Sequence, residues 1–249
     1  MSKLQKLIEY VQRKAPESRT AAVILAAGSS TRMGGKLNKQ LYSLNGKPVL
    51  AYTLIAYQKS PLIREIVVVT RPEDFDAIYK MRKQYGITKL VHLVSGGATR
   101  QESAKKGVAA LGEDIKFVAI ADGARCLTTP ALINKVCLTA YRTNAACAAH
   151  LVSDTVKRAT VLGNVTETID RTGLWEVQTP QVFHTALYQA ALLKAETDNF
   201  KVTDDATLVE HLGYRVRLVE CGRSNIKITT PDDLPLAKAI LNYREGDAK

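Results

Sequence analysis

Short apolar runs alternate with amphipathic stretches along most of the chain. Runs at 21–25, 66–70, 90–94, 117–120 and 145–149 are apolar apart from Thr70 and His92, and each is only four or five residues long. Apolar segments of that length are typical of strands buried on both sides. Between them, residues 48–57, 72–85, 99–111 and 131–142 place apolar side chains at helical spacing. Pro48 suits a first helical turn, and Gly86 and Gly112 suit helix ends. This alternation predicts an α/β fold: a mostly parallel sheet with helices on both faces. In such sheets, ligands bind beyond the carboxyl ends of the strands. Gly28, the Gly96-Gly97 pair and Asp122 each follow a predicted strand, so one cleft can hold all three.

The rhythm breaks at 151–181. There Val152, Thr155, Val156, Val161, Val165, Thr168 and Ile169 are interleaved with polar residues, and Gly163-Asn164 and Thr172-Gly173 mark turns. The pattern predicts a projecting antiparallel β-arm. An arm unable to bury both faces alone packs on a partner, so a homodimer is expected. Helices at 186–194, 204–212 and 231–243 and a strand at 215–219 follow. Residues 1–18, with Leu4, Leu7, Ile8 and Val11 at helical spacing, predict an appended helix ahead of a single domain at 19–249.

Composition narrows the picture. The chain has 249 residues and is 46% hydrophobic, which excludes disorder over most of its length. No apolar run approaches the ~18 residues of a membrane span, and the N-terminal stretch lacks the continuous apolar core of a secretion signal. Cys126, Cys137, Cys147 and Cys221 show no C-x-x-C spacing and read as reduced core residues, which implies a cytoplasmic location. The net charge of +11 raises nucleic-acid binding. Yet no four basic residues run together, and the tyrosines do not alternate with Lys and Arg as in a stacking surface. A small anionic substrate in a basic cleft fits better, without nucleic acid or membrane. His92, His150, His184 and His211 are too scattered for an all-protein metal cage.

The segment Ala26-Ala27-Gly28-Ser29-Ser30-Thr31-Arg32-Met33-Gly34-Gly35 follows the first strand. It is neither a Walker loop nor a dinucleotide fingerprint. Small residues there let backbone N–H groups approach an anion, and Arg32 and Lys39 add fixed positive charge. The bland alternative, a glycine turn flanked by solvated cations, has comparable weight on this segment alone. Further segments recur in order: Gly96-Gly97-x-x-Arg100-Gln101-x-Ser103, Asp122-Gly123-Ala124-Arg125, Asp154-Thr155-x-Lys157, Trp175-x-x-Gln178-Thr179-Pro180-Gln181, Thr203-Asp204-Asp205-Ala206 and Asn225-Ile226-Lys227. Together they resemble the 2-C-methyl-D-erythritol 4-phosphate cytidylyltransferase family over roughly residues 20–244.

The resemblance implies a Rossmann-like fold and cytidylyl transfer from CTP to a polyol phosphate, with Mg²⁺ carried by the CTP phosphates. It implies that Ala26, Ala27, Gly28 and Ser29 cradle the phosphates and that Gly96, Arg100 and Ser103 contact the cytidine. Arg32, Lys39, Arg171 and Lys227 are then the catalytic cations. Asp122, Arg125, Thr179 and Thr203, with Arg171 and Lys227, bind the second substrate. Arg171 and Thr179 are expected on the arm, donated across the dimer. Ribitol-5-phosphate cytidylyl transfer and a catalytically silent nucleotide-binding regulator are the competing readings. The chain departs from the family pattern at Asn38 and Cys126, where proline is usual, and at Ala121, where histidine is usual. These departures imply looser loops and a lost ring near the nucleotide. Trp175 reads as packing, Asp154 as a turn cap, and Asp204 equally as a helix cap or a substrate contact. The tail from Arg244 onward reads as frayed.

Overall fold

The computed structural model describes residues 19–28 and 38–246; the expected helix at 1–18 lies outside them. Strand β1 (Thr20–Leu25) leads to a short antiparallel ladder, β2 (Ser43–Leu44) with β3 (Lys47–Pro48), and then to α1 (Val49–Lys59). Strand β4 (Ile63–Thr70), α2 (Phe75–Gln84), β5 (Leu90–Ser95), α3 (Arg100–Ala109), β6 (Phe117–Asp122), α4 (Pro130–Thr143) and β7 (Ala145–Leu151) continue the alternation. The hairpin β8 (Val156–Ala159) and β9 (Val165–Ile169) precedes β10 (Trp175–His184), α5 (Thr185–Thr197), α6 (Asp205–His211), β11 (Arg217–Glu220) and α7 (Asp233–Gly246).

Seven strands form the central sheet in the order β11-β7-β10-β6-β1-β4-β5. All neighbours are parallel except around β10, which runs antiparallel to both β6 and β7. Side chains alternate between the faces, as the pleat requires. Ala22 and Ile24 of β1 and Ala119 and Ala121 of β6 join α1 and α4 in one core. Val23, Leu25, Val118 and Ile120 join α3, α5 and α6 in the other. Burial on both faces explains why these strands carry no polar alternation.

Local chemistry sets the element ends. Thr99 and Thr129 cap α3 and α4, each accepting a backbone N–H bond, and Gly86 closes the turn after α2 at φ +62°. Gly107 lets α3 lie close on the sheet: a Cβ there would sit 2.4 Å from Val23 Cγ1 and 2.7 Å from Val69 Cγ2.

The projecting arm is shorter than expected. Only β8 and β9 stand apart as a two-stranded sheet; Trp175–His184 has already entered the central sheet. The predicted alternation was real, but the second half of the segment found its partners in β6 and β7 rather than within the arm. The end of α7 also differs from expectation. Arg244 donates to the Leu127 carbonyl at 2.7 Å and to Ser224 Oγ at 2.9 Å, so it anchors the last helix rather than fraying.

Candidate active site

A cavity of about 520 Å³ opens beyond the carboxyl ends of β1 and β6. This is a typical volume for a small-molecule site. Leu25, Ala27 and Gly28 form one wall, and Gly97, Ala98, Thr99, Arg100 and Ser103 the opposite one. Lys39, Gln40, Asp122, Ala124, Lys227 and Thr229 complete it. Five separate stretches of chain meet here because β1 is flanked by β4 on one side and β6 on the other. The connections therefore diverge and leave a crevice.

Backbone hydrogen bonds pin the walls. Gly96 N–H donates to Thr70 O at 2.9 Å, and Gly123 N–H to Leu25 O at 2.9 Å. Gly123 O in turn accepts from Thr53 Oγ1 of α1 at 2.8 Å. Gly96 is required by proximity: a Cβ there would lie 2.5 Å from Ala27 Cβ. Ser103 Oγ accepts from Gly97 N–H at 3.0 Å and donates to Thr99 O at 2.9 Å, closing the turn onto the start of α3.

Asp122 is the electrostatic centre. Its carboxylate lies 3.0 Å from Lys227 Nζ, 3.4 Å from Arg125 Nε and 3.9 Å from Arg100 Nε. Burial alone would raise its pKa, but Lys227, Arg100 and Arg125 outweigh that and hold it below the ordinary 3.8. The carboxylate stays ionised and leaves a net excess of cations facing the cavity. Arg125 shows the reverse balance: desolvation lowers its pKa despite Asp122.

The sequence expectations meet this geometry unevenly. Ala27, Gly28, Lys39, Arg100, Ser103, Asp122 and Lys227 line the cavity together. Ala26 lies just behind, its N–H donating to Val69 O at 2.7 Å, and Gly96 and Arg125 stand directly beside the lining. Ser29 and Arg32 lie outside the described residues. Arg171 is on the arm, donating to Ser153 O, and does not line the cavity of its own chain; nor does the exposed Thr203. Thr179 corrects its expected place. It is buried in β10 of the central sheet, and its hydroxyl accepts from Asp122 N–H at 3.0 Å. A side chain so placed supports Asp122 within its own chain, from the central sheet and not from the arm.

Two departures also resolve differently. Ala121 sits on the opposite face of β6 from Asp122, in the core packed by α1 and α4, so it removes nothing from the cavity lining. Cys126 is buried with Leu44, Val49 and Ile228, and burial pushes its thiol up to about 11. Its loop is held by packing.

The structure also gives places to motif residues for which, Asp204 apart, the sequence reading had assigned no role in the site. Asp205 is buried and lies 2.6 Å from Arg100 Nη2, and it accepts from Tyr188 Oη–H at 2.6 Å. Gln181 fixes that segment, donating to Asp204 at 2.9 Å and accepting from Ala206 N–H at 2.8 Å. Asp204 caps α6 through Thr207 N–H. Asn225 ties the segment carrying Lys227 to β10: its Nδ2 reaches Gln178 Oε1 at 2.8 Å and Thr179 O at 3.0 Å. Only the grouping of Asn225 with Lys227 in one motif hinted at this.

Asp122 is the only carboxylate among the residues that line the cavity, and its oxygens are taken up by cations. Among the described residues, no three His, Cys, Asp or Glu side chains cluster as metal ligands. This donor set suits an anionic ligand, not a metal bound by the protein alone.

Known proteins share the sequence and fold of most of this chain. The profile of the IspD family, 2-C-methyl-D-erythritol 4-phosphate cytidylyltransferase, matches residues 20–243. A protein of that name from Syntrophus aciditrophicus is 42% identical over 229 residues, covering 92% of this chain and 98% of its own. One from Thermosynechococcus vestitus is 44% identical over 223 residues, covering 89% and 95%. The crystal structure of 4-diphosphocytidyl-2C-methyl-D-erythritol synthase from Anaerococcus prevotii superposes with a TM-score of 0.80 at 32% identity, covering 91% of this chain and 99% of that one. The Thermus thermophilus cytidylyltransferase superposes at 0.73 with 30% identity, covering 88% and 98%. With its sequence and fold matched along almost the whole length of these proteins, the chain belongs to the 2-C-methyl-D-erythritol 4-phosphate cytidylyltransferase family.

Proposed function

We propose that this chain transfers a cytidylyl group from CTP to 2-C-methyl-D-erythritol 4-phosphate and releases pyrophosphate, a step of non-mevalonate isoprenoid synthesis. The observation that carries the reading is the convergence of Lys39, Arg100 and Lys227 on one cavity, around a single ionised carboxylate. Both substrates are anions, so gathered cations lower their mutual repulsion. An oxygen of the substrate phosphate attacks the α-phosphorus as the bond to pyrophosphate breaks. Such transfers ask the protein mainly for positioning and charge stabilisation.

In this reading, Ala27, Gly28 and Ser29 hold the triphosphate through backbone N–H groups, and Ala26, whose own N–H is taken up by Val69 O, fixes the start of that loop. Arg32 and Lys39 stabilise charge on the α-phosphate and on the leaving pyrophosphate. Gly96, Arg100 and Ser103 hold the cytidine. Asp122, Arg125, Thr203 and Lys227 receive the polyol phosphate, and Thr179 supports Asp122 from behind. Arg171 is on the arm and does not line the cavity of its own chain, so this reading assigns it to the site of a partner and includes a homodimer. The exposed Val161, Leu162 and Val165 of the arm support that assembly. Mg²⁺ enters with CTP, liganded by phosphate oxygens and water. The four free cysteines support a cytoplasmic setting.

The test is pyrophosphate release with CTP and Mg²⁺, run in parallel with 2-C-methyl-D-erythritol 4-phosphate and ribitol 5-phosphate. Turnover with the first is expected. Turnover with the second alone would move the chain to the other polyol. CTP binding without turnover on either would leave the silent regulator.

A further inference from the structure

Asn38 immediately precedes Lys39, and its side chain is almost entirely buried, with 1% of the residue exposed. Its carbonyl Oδ1 accepts from Gln40 N–H at 3.1 Å, capping the 3₁₀ turn Lys39–Leu41 that carries the lysine. Its Nδ2 donates twice, to Ala26 O at 3.1 Å and to Asp74 Oδ2 at 2.8 Å. Asp74 is itself buried and paired with Arg71, through Nε at 2.9 Å and Nη2 at 3.1 Å. One amide therefore joins three segments: the end of β1, the lysine turn and the turn that follows β4.

We infer that Asn38 is a positioning residue for Lys39, acting through the Asp74–Arg71 ion pair and the Ala26 carbonyl. The inference rests on Lys39 being one of the cations that act on the triphosphate. An asparagine side chain has two donor hydrogens and one acceptor oxygen, and all three groups are engaged here. The bond to Asp74 has an ionised acceptor, which makes it about twice as strong as a neutral one. A long lysine side chain is as well placed as the backbone from which it springs. A misplacement of about 1 Å in a reacting constellation can cost about 100-fold in rate. Backbone restriction alone would be a simpler device: φ at Asn38 is −63°, a value that proline also adopts. Proline would supply that angle and none of the three bonds. Asn38→Pro therefore separates the two contributions.

The experiment measures kcat and KM for pyrophosphate release with Mg²⁺ present, each substrate, CTP or 2-C-methyl-D-erythritol 4-phosphate, being varied while the other is saturating, using the full chain. The folded fraction is read by circular dichroism at the assay temperature. The variants are Asn38→Ala, Asn38→Pro, Asn38→Asp and the exchange Asn38→Asp with Asp74→Asn, beside Lys39→Met. Asn38→Ala and Asn38→Pro should lower kcat per folded molecule at least about tenfold. Asn38→Asp should do the same, because it sets two carboxylates against each other. The exchange restores one amide–carboxylate pair and should regain at least about threefold over Asn38→Asp. A purely structural asparagine would lower the folded fraction but leave kcat per folded molecule unchanged. Alanine and proline variants within twofold of the parent, no gain from the exchange, or unfolding of every Asn38 variant would each overturn the inference. Lys39→Met reads the underlying assignment separately: full turnover in that variant removes Lys39 from the reaction, whatever the Asn38 series does.

Discussion

Asp205 shows how much a single buried charge organises this site. Its carboxylate faces Arg100 at 2.6 Å and Tyr188 at 2.6 Å, while the arginine side chain remains 30% exposed toward the cavity. Removing one partner of a buried pair leaves the other desolvated without compensation. Asp205→Asn keeps the shape and removes the charge. Because Arg100 is partly solvated, the expected loss is roughly 2–4 kcal/mol of stability, below that of a fully buried pair. Urea denaturation measures it, and a raised KM for CTP should accompany it if Arg100 holds the nucleotide. Asp122 governs the acid side. Its folded-state pKa lies below 3.8, so its stabilisation is fully present above that value and is lost as the pH falls through the depressed one. In Asp122→Asn, this part of the acid-induced loss should disappear. A variant whose stability falls as steeply below about pH 4 as the parent's would show that Asp122 carries none of it.

At the scale of elements, close packing and unpartnered surface pull in opposite directions. Helix α3 lies on the sheet through Gly107, where Val23 and Val69 leave no room for a Cβ. Gly107→Ala should therefore cost about 1–3 kcal/mol by overpacking, although alanine is the better helix former. A gain in melting temperature would contradict the packing at that point. The hairpin of β8 and β9 has no such neighbours. Val161, Leu162 and Val165 are exposed, and the two strands pair only with each other. An isolated hairpin is marginal in water, so cover from a second copy is its natural stabiliser. The parent chain should sediment as a dimer at micromolar concentration, and Leu162→Lys combined with Val165→Lys should shift it toward monomer with far-UV circular dichroism retained. A monomeric parent would remove the shared site and the role given to Arg171.

Across the whole molecule, a net charge of +11 coexists with a site built around one carboxylate. The excess of cations suits two anionic substrates, and among the described residues no three His, Cys, Asp or Glu side chains cluster as metal ligands. Chelation of Mg²⁺ should therefore abolish turnover while leaving the melting temperature unchanged, and added Mg²⁺ should restore activity. A melting temperature that fell on chelation would point to a metal held by the fold itself. The thiols follow the same partition between core and surface. Burial pushes Cys137 and Cys147 up to about 12 and leaves Cys221 half-buried, so alkylation of the folded chain should label Cys221 first.

The order of strands and helices was legible in the chain because it depends on local periodicity. Runs such as Ile66-Val67-Val68-Val69 can only be buried strands at that length, and caps such as Thr99 and Gly86 act within a few residues. Strand parity corrected one reading: Ala121 and Asp122 face opposite sides of β6, so Ala121 belongs to the core and not to the nucleotide site where the family pattern had placed it. The cleft at Gly28, Gly96-Gly97 and Asp122 followed from the strand ends, and the gathering of Lys39, Arg100 and Lys227 around it from the family resemblance. Tertiary structure alone decided the rest. Whether Trp175–His184 paired within the arm or inserted between β6 and β7 depended on partners far away in sequence, and that choice moved Thr179 from the arm to the back of Asp122. Asp205 against Arg100 and Asn38 against Asp74 are likewise contacts between distant segments. A chain's pattern states which residues must leave water; it does not state which buried charge will meet which, because that is settled only when the packed segments bring their polar groups within hydrogen-bonding reach.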